Sequence, residues 1–103
     1  LLKNAIIKRK RCGMIAVLYR PYKIFYKANG RKSGLNVIAK IYRPDGVKEK
    51  FPMHELDEEK GIYVLEYNVM IGGNYLVVVN ASDGDVEEYK FTAVYQNPFA
   101  SYD

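Results

Sequence analysis

The sequence predicts an all-β protein built as one antiparallel β-sandwich of about seven strands. Two stretches carry most of that expectation. Gly61-Ile62-Tyr63-Val64-Leu65-Glu66-Tyr67 and Gly73-Asn74-Tyr75-Leu76-Val77-Val78-Val79 write one pattern twice, Gly-x-Tyr and then apolar residues at alternate positions, with an offset of twelve residues. Alternation at period two marks strands with one face in a core and one in water, and each Gly marks a corner where the chain enters a strand. Tyr63, Leu65, Tyr67, Tyr75, Val77 and Val79 are therefore the expected core positions of two adjacent strands. Turn signals elsewhere recur at the spacing of a sandwich.

Taken in order, Ile15–Tyr19 is the first strand. Arg20-Pro21 breaks it, because Pro donates nothing to a ladder and is confined to edges and bulges. Tyr22–Lys27 continues it, as an edge strand split in two. Residues 28–34 form a Gly/Asn loop, and Leu35–Arg43 is a strong strand with Leu35, Val37, Ala39 and Ile41 on one face. Arg43-Pro44-Asp45-Gly46 is a turn: Pro presets φ at the first central position, and Asp and Gly accept the left-handed one. Lys48–Met53 follows as a short charged strand. Residues 54–60 form an acidic connection with room for one helical turn. After the doubled pattern, the turn 81–85 leads into a last strand, Val86–Tyr95, with Phe91, Ala93 and Tyr95 inward. The expected organisation is a basic arm or upstream extension at 1–13, the sandwich at 14–95 and a tail at 96–103. Met14 is expected to be the natural initiator.

Composition narrows the class. A chain of 103 residues is one domain, able to bury roughly two-thirds of its unfolded surface. The single Cys12 excludes an intramolecular disulfide and a Cys-based zinc site, and points to a reducing compartment. No stretch approaches the ~20 apolar residues of a membrane-spanning helix. Ten tyrosines and no tryptophan suit strands whose core-boundary positions keep one wet end. Charge is polarised: residues 1–50 carry +12 and residues 51–103 carry −8, giving the net +4. That asymmetry fits an anionic partner for the first half, or neutralisation between paired strands or neighbouring subunits.

The motifs Ser33-Gly34-Leu35, Tyr42-Arg43-Pro44-Asp45-Gly46, Glu55-Leu56 and the two Gly-x-Tyr strands resemble immunoglobulin-like domains of the filamin type. They are also similar to small immunoglobulin-like structural or decoration proteins of tailed phages. The resemblance runs from Ser33 to Tyr95. It implies a corner tyrosine at Tyr75, bonded to nearby backbone, and a role as a capsid, neck or tail component. The absence of a Trp and of a Cys pair sets the chain apart from antibody domains.

Catalytic chemistry has little to start from. His54 is the only histidine, set in a loop among Met53, Glu55 and Asp57, where a solvated side chain is the ordinary outcome. Asp57-Glu58-Glu59 and Asp83-x-Asp85 offer oxygens of the kind calcium takes, without EF-hand spacing. There is no phosphate loop or dinucleotide fingerprint. No catalytic residue, metal or cofactor is expected.

The expected function is a non-enzymatic protein-interaction domain, a phage virion accessory docking through charged edge strands and loops. Its location is then the virion, or otherwise the cytoplasm. The candidate partner-binding residues are Arg20, Lys23, Lys27 and Arg31 on a basic side, and Glu55, Asp57, Glu58 and Glu59 on an acidic one. Lys8, Arg9, Lys10 and Arg11 carry an alternative, a nucleic-acid-binding arm. A carbohydrate-binding sandwich using exposed Tyr is a further alternative.

Overall fold

In a computed structural model the described residues are 15–95. The basic run 8–11, the 1–13 extension, Cys12, Met14 and the tail 96–103 lie outside them. Eight strands follow in order: β1 Ile15–Val17, β2 Pro21–Lys27, β3 Val37–Tyr42, β4 Lys48–Pro52, β5 His54–Glu55, β6 Ile62–Asn68, β7 Gly73–Ala81 and β8 Val86–Val94. They form a five-stranded sheet, β1-β8-β7-β3-β4, facing a three-stranded sheet, β2-β6-β5. The all-β sandwich is thus observed, with eight strands among the described residues rather than about seven.

Alternating apolar residues from both sheets meet in one core. Val37, Ala39 and Ile41 of β3, Val77 and Val79 of β7, and Phe91 and Ala93 of β8 come from the larger sheet. Ile24 and Tyr26 of β2 and Tyr63, Leu65 and Tyr67 of β6 come from the smaller one. Leu35, expected on the β3 core face, is partly buried against this cluster.

Five local expectations change. The two Gly-x-Tyr strands do not pair with each other: β6 and β7 lie in opposite sheets and meet through their rings, Tyr67 and Tyr75 packing edge to face at 6.0 Å. The reason is the corner 69–73, which lifts the chain from one sheet to the other. The split first strand also changes sheets. β1 pairs with β8, in parallel, and β2 pairs antiparallel with β6, so the two halves are edges of different sheets. Between them Tyr19 takes φ 65, the left-handed region that non-glycine residues avoid, with its N–H donating to Val69 C=O. The charged strand Lys48–Met53 ends at Pro52, and the chain drops through buried Met53 into β5 of the other sheet. Tyr95 is not inward. β8 ends at Val94, and Tyr95 stands 69% exposed beside Tyr19, while Tyr89, Phe91 and Ala93 take the inward positions. The acidic connection holds strand β5 and a turn; among the described residues the one short 3₁₀ turn is Asn29–Arg31.

The corner tyrosine is where the resemblance placed it. Tyr75 O–H donates to Ile71 C=O at 2.6 Å, and its ring stacks on Phe91 with centroids 4.7 Å apart. Gly73, at φ 130, presses against Pro44, whose Cβ would lie 2.8 Å from any added side-chain carbon. The corner therefore leans on the Arg43–Gly46 turn.

Candidate interaction surfaces

The outer face of the five-stranded sheet has the most distinctive chemistry. Strand pairing sets Lys50, Lys40, Val78 and Glu88 in one row across β4, β3, β7 and β8. The next row reads Lys48, Tyr42, Leu76 and Lys90, and on the other side Pro52, Ile38, Asn80 and Val86. Ile38, Leu76 and Val78 are half-buried and Tyr42 is exposed, so an apolar ridge runs along the face with lysines beside it. Lys40 and Lys50 stand directly opposite each other. Like charges at paired positions oppose strand association, so this pair is not explained by stability. Lys48 lies over the Tyr42 ring at 5.7 Å.

The residues expected from the sequence to bind partners are distributed differently. Lys23 and Lys27 are exposed on the outer face of β2, opposite Glu66 and Ile62, with exposed Phe25 between them. Arg20 is exposed at one end of that strand, and Arg31 lies beyond the other. Arg31 takes φ 56 and donates from Nε to Lys60 C=O at 2.8 Å. It is thereby held against the acidic loop, so Arg31 and Glu55, Asp57, Glu58 and Glu59 share one end of the sandwich. Asp57, Glu58 and Glu59 are exposed there.

Glu55 has an internal task. Its carboxylate accepts from Gly61 N–H at 2.8 Å and from Gly34 N–H at 3.0 Å, tying two loops to β5. Those bonds, led by Gly61 and joined by the Ser33 side chain, pull its pKa down from the ordinary 4.5 to about 2. Gly61 takes φ 85 and lies so close to the Arg31 backbone that a Cβ would sit 2.5 Å from it.

A polar chain crosses the opposite end. The Arg43 guanidinium binds Asp45, with Nε to Oδ1 at 3.0 Å, and reaches Glu49 at 3.6 Å. Glu49 in turn accepts from Tyr67 O–H at 2.7 Å. Arg43 holds the Asp45 carboxyl below its usual range, while burial and the Glu49 bond push the Tyr67 hydroxyl well above the ordinary tyrosine value. Beside this chain a cleft of about 230 Å³ opens between β4 and β6, lined by Phe51, Tyr67 and Tyr75 among others.

The lysine face was partly legible. The turn centred on Asp45 sets Lys40 against Lys50, a register that could have been read from the hairpin. The contributions of Leu76, Val78 and Lys90 needed the β3-β7-β8 order, which no local signal supplies.

Fold and surfaces together define a two-sheet β-sandwich with a lysine-lined outer face. No protein-family model and no curated protein matches the chain. Among the solved structures that share its fold are two that align over 82% of this chain. One is a putative glycoside hydrolase from Bacteroides vulgatus ATCC 8482, with TM-score 0.62 and 11% identity over 82% of this chain and 17% of that one. The other is CopC from Methylosinus trichosporium OB3b, with TM-score 0.56 and 17% identity over 82% of this chain and 86% of that one. The chain thus spans about a sixth of the first protein and most of the second. At these identities the likeness is one of fold.

Proposed function

We propose that this chain is a non-catalytic interaction domain that docks the outer face of its five-stranded sheet on an acidic protein surface. The observation that carries this reading is the cross-strand pair Lys40–Lys50, flanked by Lys48 and Lys90 around the ridge Ile38, Tyr42, Leu76 and Val78. Folding alone disfavours that pair, whereas an anionic partner relieves its repulsion while the ridge supplies apolar area. Face docking also fits the edges. β1 is short, β2 opens with Pro21 and carries Lys23 and Lys27, and β4 carries Lys48, Lys50 and Pro52, all devices that discourage edge pairing.

The setting we propose is a phage virion, where a small immunoglobulin-like sandwich decorates the capsid or joins the neck or tail. The sequence resemblance to such proteins supports it. The test is co-sedimentation with assembled capsids and tails at low and raised salt, using wild type and Lys40→Glu/Lys50→Glu. Salt-sensitive binding lost in the double variant is the expected result. Binding unchanged in that variant would remove the lysine face from the account, and no binding to any virion component would remove the setting.

The exposed Tyr42 ring among lysines favours one second reading, single-stranded nucleic acid held by stacking and phosphate contacts. Gel shifts with oligonucleotides across a salt series separate the two. Tight oligonucleotide binding that needs Tyr42 would transfer the face to that partner.

A further inference from the structure

The smaller sheet is incomplete, and the gap coincides with the cleft. β6 pairs with β2 along its whole length, Ile62 to Asn68, but β5 covers only Tyr63 and Val64 on its other side. Among the described residues no strand pairs with β6 beyond Val64 there. Main-chain alternation shows which groups face the opening. Val69 N–H donates to Arg20 C=O on the β2 side, and Ile62 C=O accepts from Leu56 N–H on the β5 side. Even-numbered residues of β6 therefore turn their peptide groups toward β5, and Glu66 and Asn68 present theirs to the gap. Side chains alternate in the other sense: Leu65 and Tyr67 are buried, and Glu66 and Asn68 are exposed on the outer face.

The cleft beneath this half-edge is lined by Phe51, Tyr67, Met70, Ile71 and Tyr75, with Glu49 and Arg43 at its rim. Its volume, about 230 Å³, falls below the roughly 300 Å³ where small-molecule sites begin, and suits one large side chain. Arg43 is already engaged by Asp45 and Glu49, so it adds little free positive charge. Glu66 has Lys23 opposite it on the β2 side and faces the gap on the other.

We propose that β6 is a docking edge for an extended peptide that continues the line of β5. Its main chain bonds Glu66 and Asn68. One apolar or aromatic residue drops inward onto Phe51, Tyr67 and Tyr75. The adjacent outward residue is a Lys or Arg set beside Glu66. Three features select this occupant: an open ladder that only an extended strand matches, a cleft of single-side-chain size at the inward position, and an acid at the outward one. The site lies on the sheet opposite the lysine face and stands independently of it.

The probe is a capped synthetic octapeptide alternating Lys with Phe and Ile, titrated into isotopically labelled full-length protein. Amide shifts are expected at 64–71 and 49–53, with slowed hydrogen exchange at Glu66 and Asn68. Two N-methylated versions, one for each parity of the peptide's amides, decide the mode. The parity that faces β6 is expected to lose about tenfold in affinity, the worth of one or two main-chain bonds, and the other to keep it. Glu66→Lys, a surface change, is expected to weaken binding about threefold. Equal affinity of both N-methylated peptides, shifts mapping to another face, or no binding would each overturn the proposal.

Discussion

Replacing Tyr75 with Phe removes one oxygen from the corner that joins the two sheets and leaves the ring in place. The hydroxyl donates to Ile71 C=O at 2.6 Å across the 71–75 corner, and the ring stacks on Phe91 and meets Tyr67 edge to face. Tyr75 is 2% exposed, so water does not readily take the donor's place. One such bond contributes on the order of 1 kcal/mol net, and more when its half-buried carbonyl is left unmatched. For a domain of this size that corresponds to a fall in Tm of roughly 4–8 °C. Tyr75→Ala also removes the ring from between Phe91 and Tyr67 and is expected to cost about 3–5 kcal/mol. Chemical unfolding of wild type and both variants measures the series. If Tyr75→Phe unfolds at the wild-type midpoint, the bond is not what holds the corner. If the two variants fall together, the hydroxyl and not the ring carries the packing.

Other outcomes follow from neighbouring features. Gly61→Ala is expected to cost more than about 3 kcal/mol, because the added carbon meets the Arg31 backbone and φ is left-handed. Gly46→Ala, also left-handed but with open space around it, is expected to cost about 1 kcal/mol; unfolding curves compare the two. Glu55 has a folded pKa below its unfolded one, so its contribution is complete above about pH 4.5 and lost as pH falls toward 2. Glu55→Gln should therefore flatten the acid limb of a stability–pH profile. Tyr26 and Tyr67, raised by burial and by their bonds to Asp85 and Glu49, act in the opposite sense. Their contribution is complete below about pH 10 and lost at more alkaline pH, and Phe at either position should reduce that loss. Lys50→Glu converts a like-charge pair into an opposite one and is expected to stabilise the fold by a few tenths of a kcal/mol, about 0.5 at most, while abolishing docking on an acidic surface.

Much of the fold was legible because period-two alternation is local. The core positions of β3, β6 and β7 follow from parity once a strand is recognised, and all six expected in the doubled pattern are buried. The candidate surfaces were less legible. Lys23 and Lys27 could be assigned to solvent from parity with Ile24 and Tyr26, but Glu55 read as one more loop acid. Its role as an acceptor depends on Gly34 and Gly61 arriving beside it, which loop sequence alone does not specify.

By itself, the sequence determined the class: where the strands β3, β6, β7 and β8 run, which face of each is apolar, and where the turns at 43–46 and 81–85 fall. Each of these is settled within a few residues by sterics and burial. Only the tertiary structure decided that the two Gly-x-Tyr strands face each other across the core, that β1 and β2 belong to different sheets, and that β5 stops short beside β6. Sheet membership depends on which distant strands share a ladder, and a strand's own pattern reads the same in either sheet. The same long-range pairing assembled the lysine face and opened the cleft, and that is why the surfaces of interest came into view only with the fold.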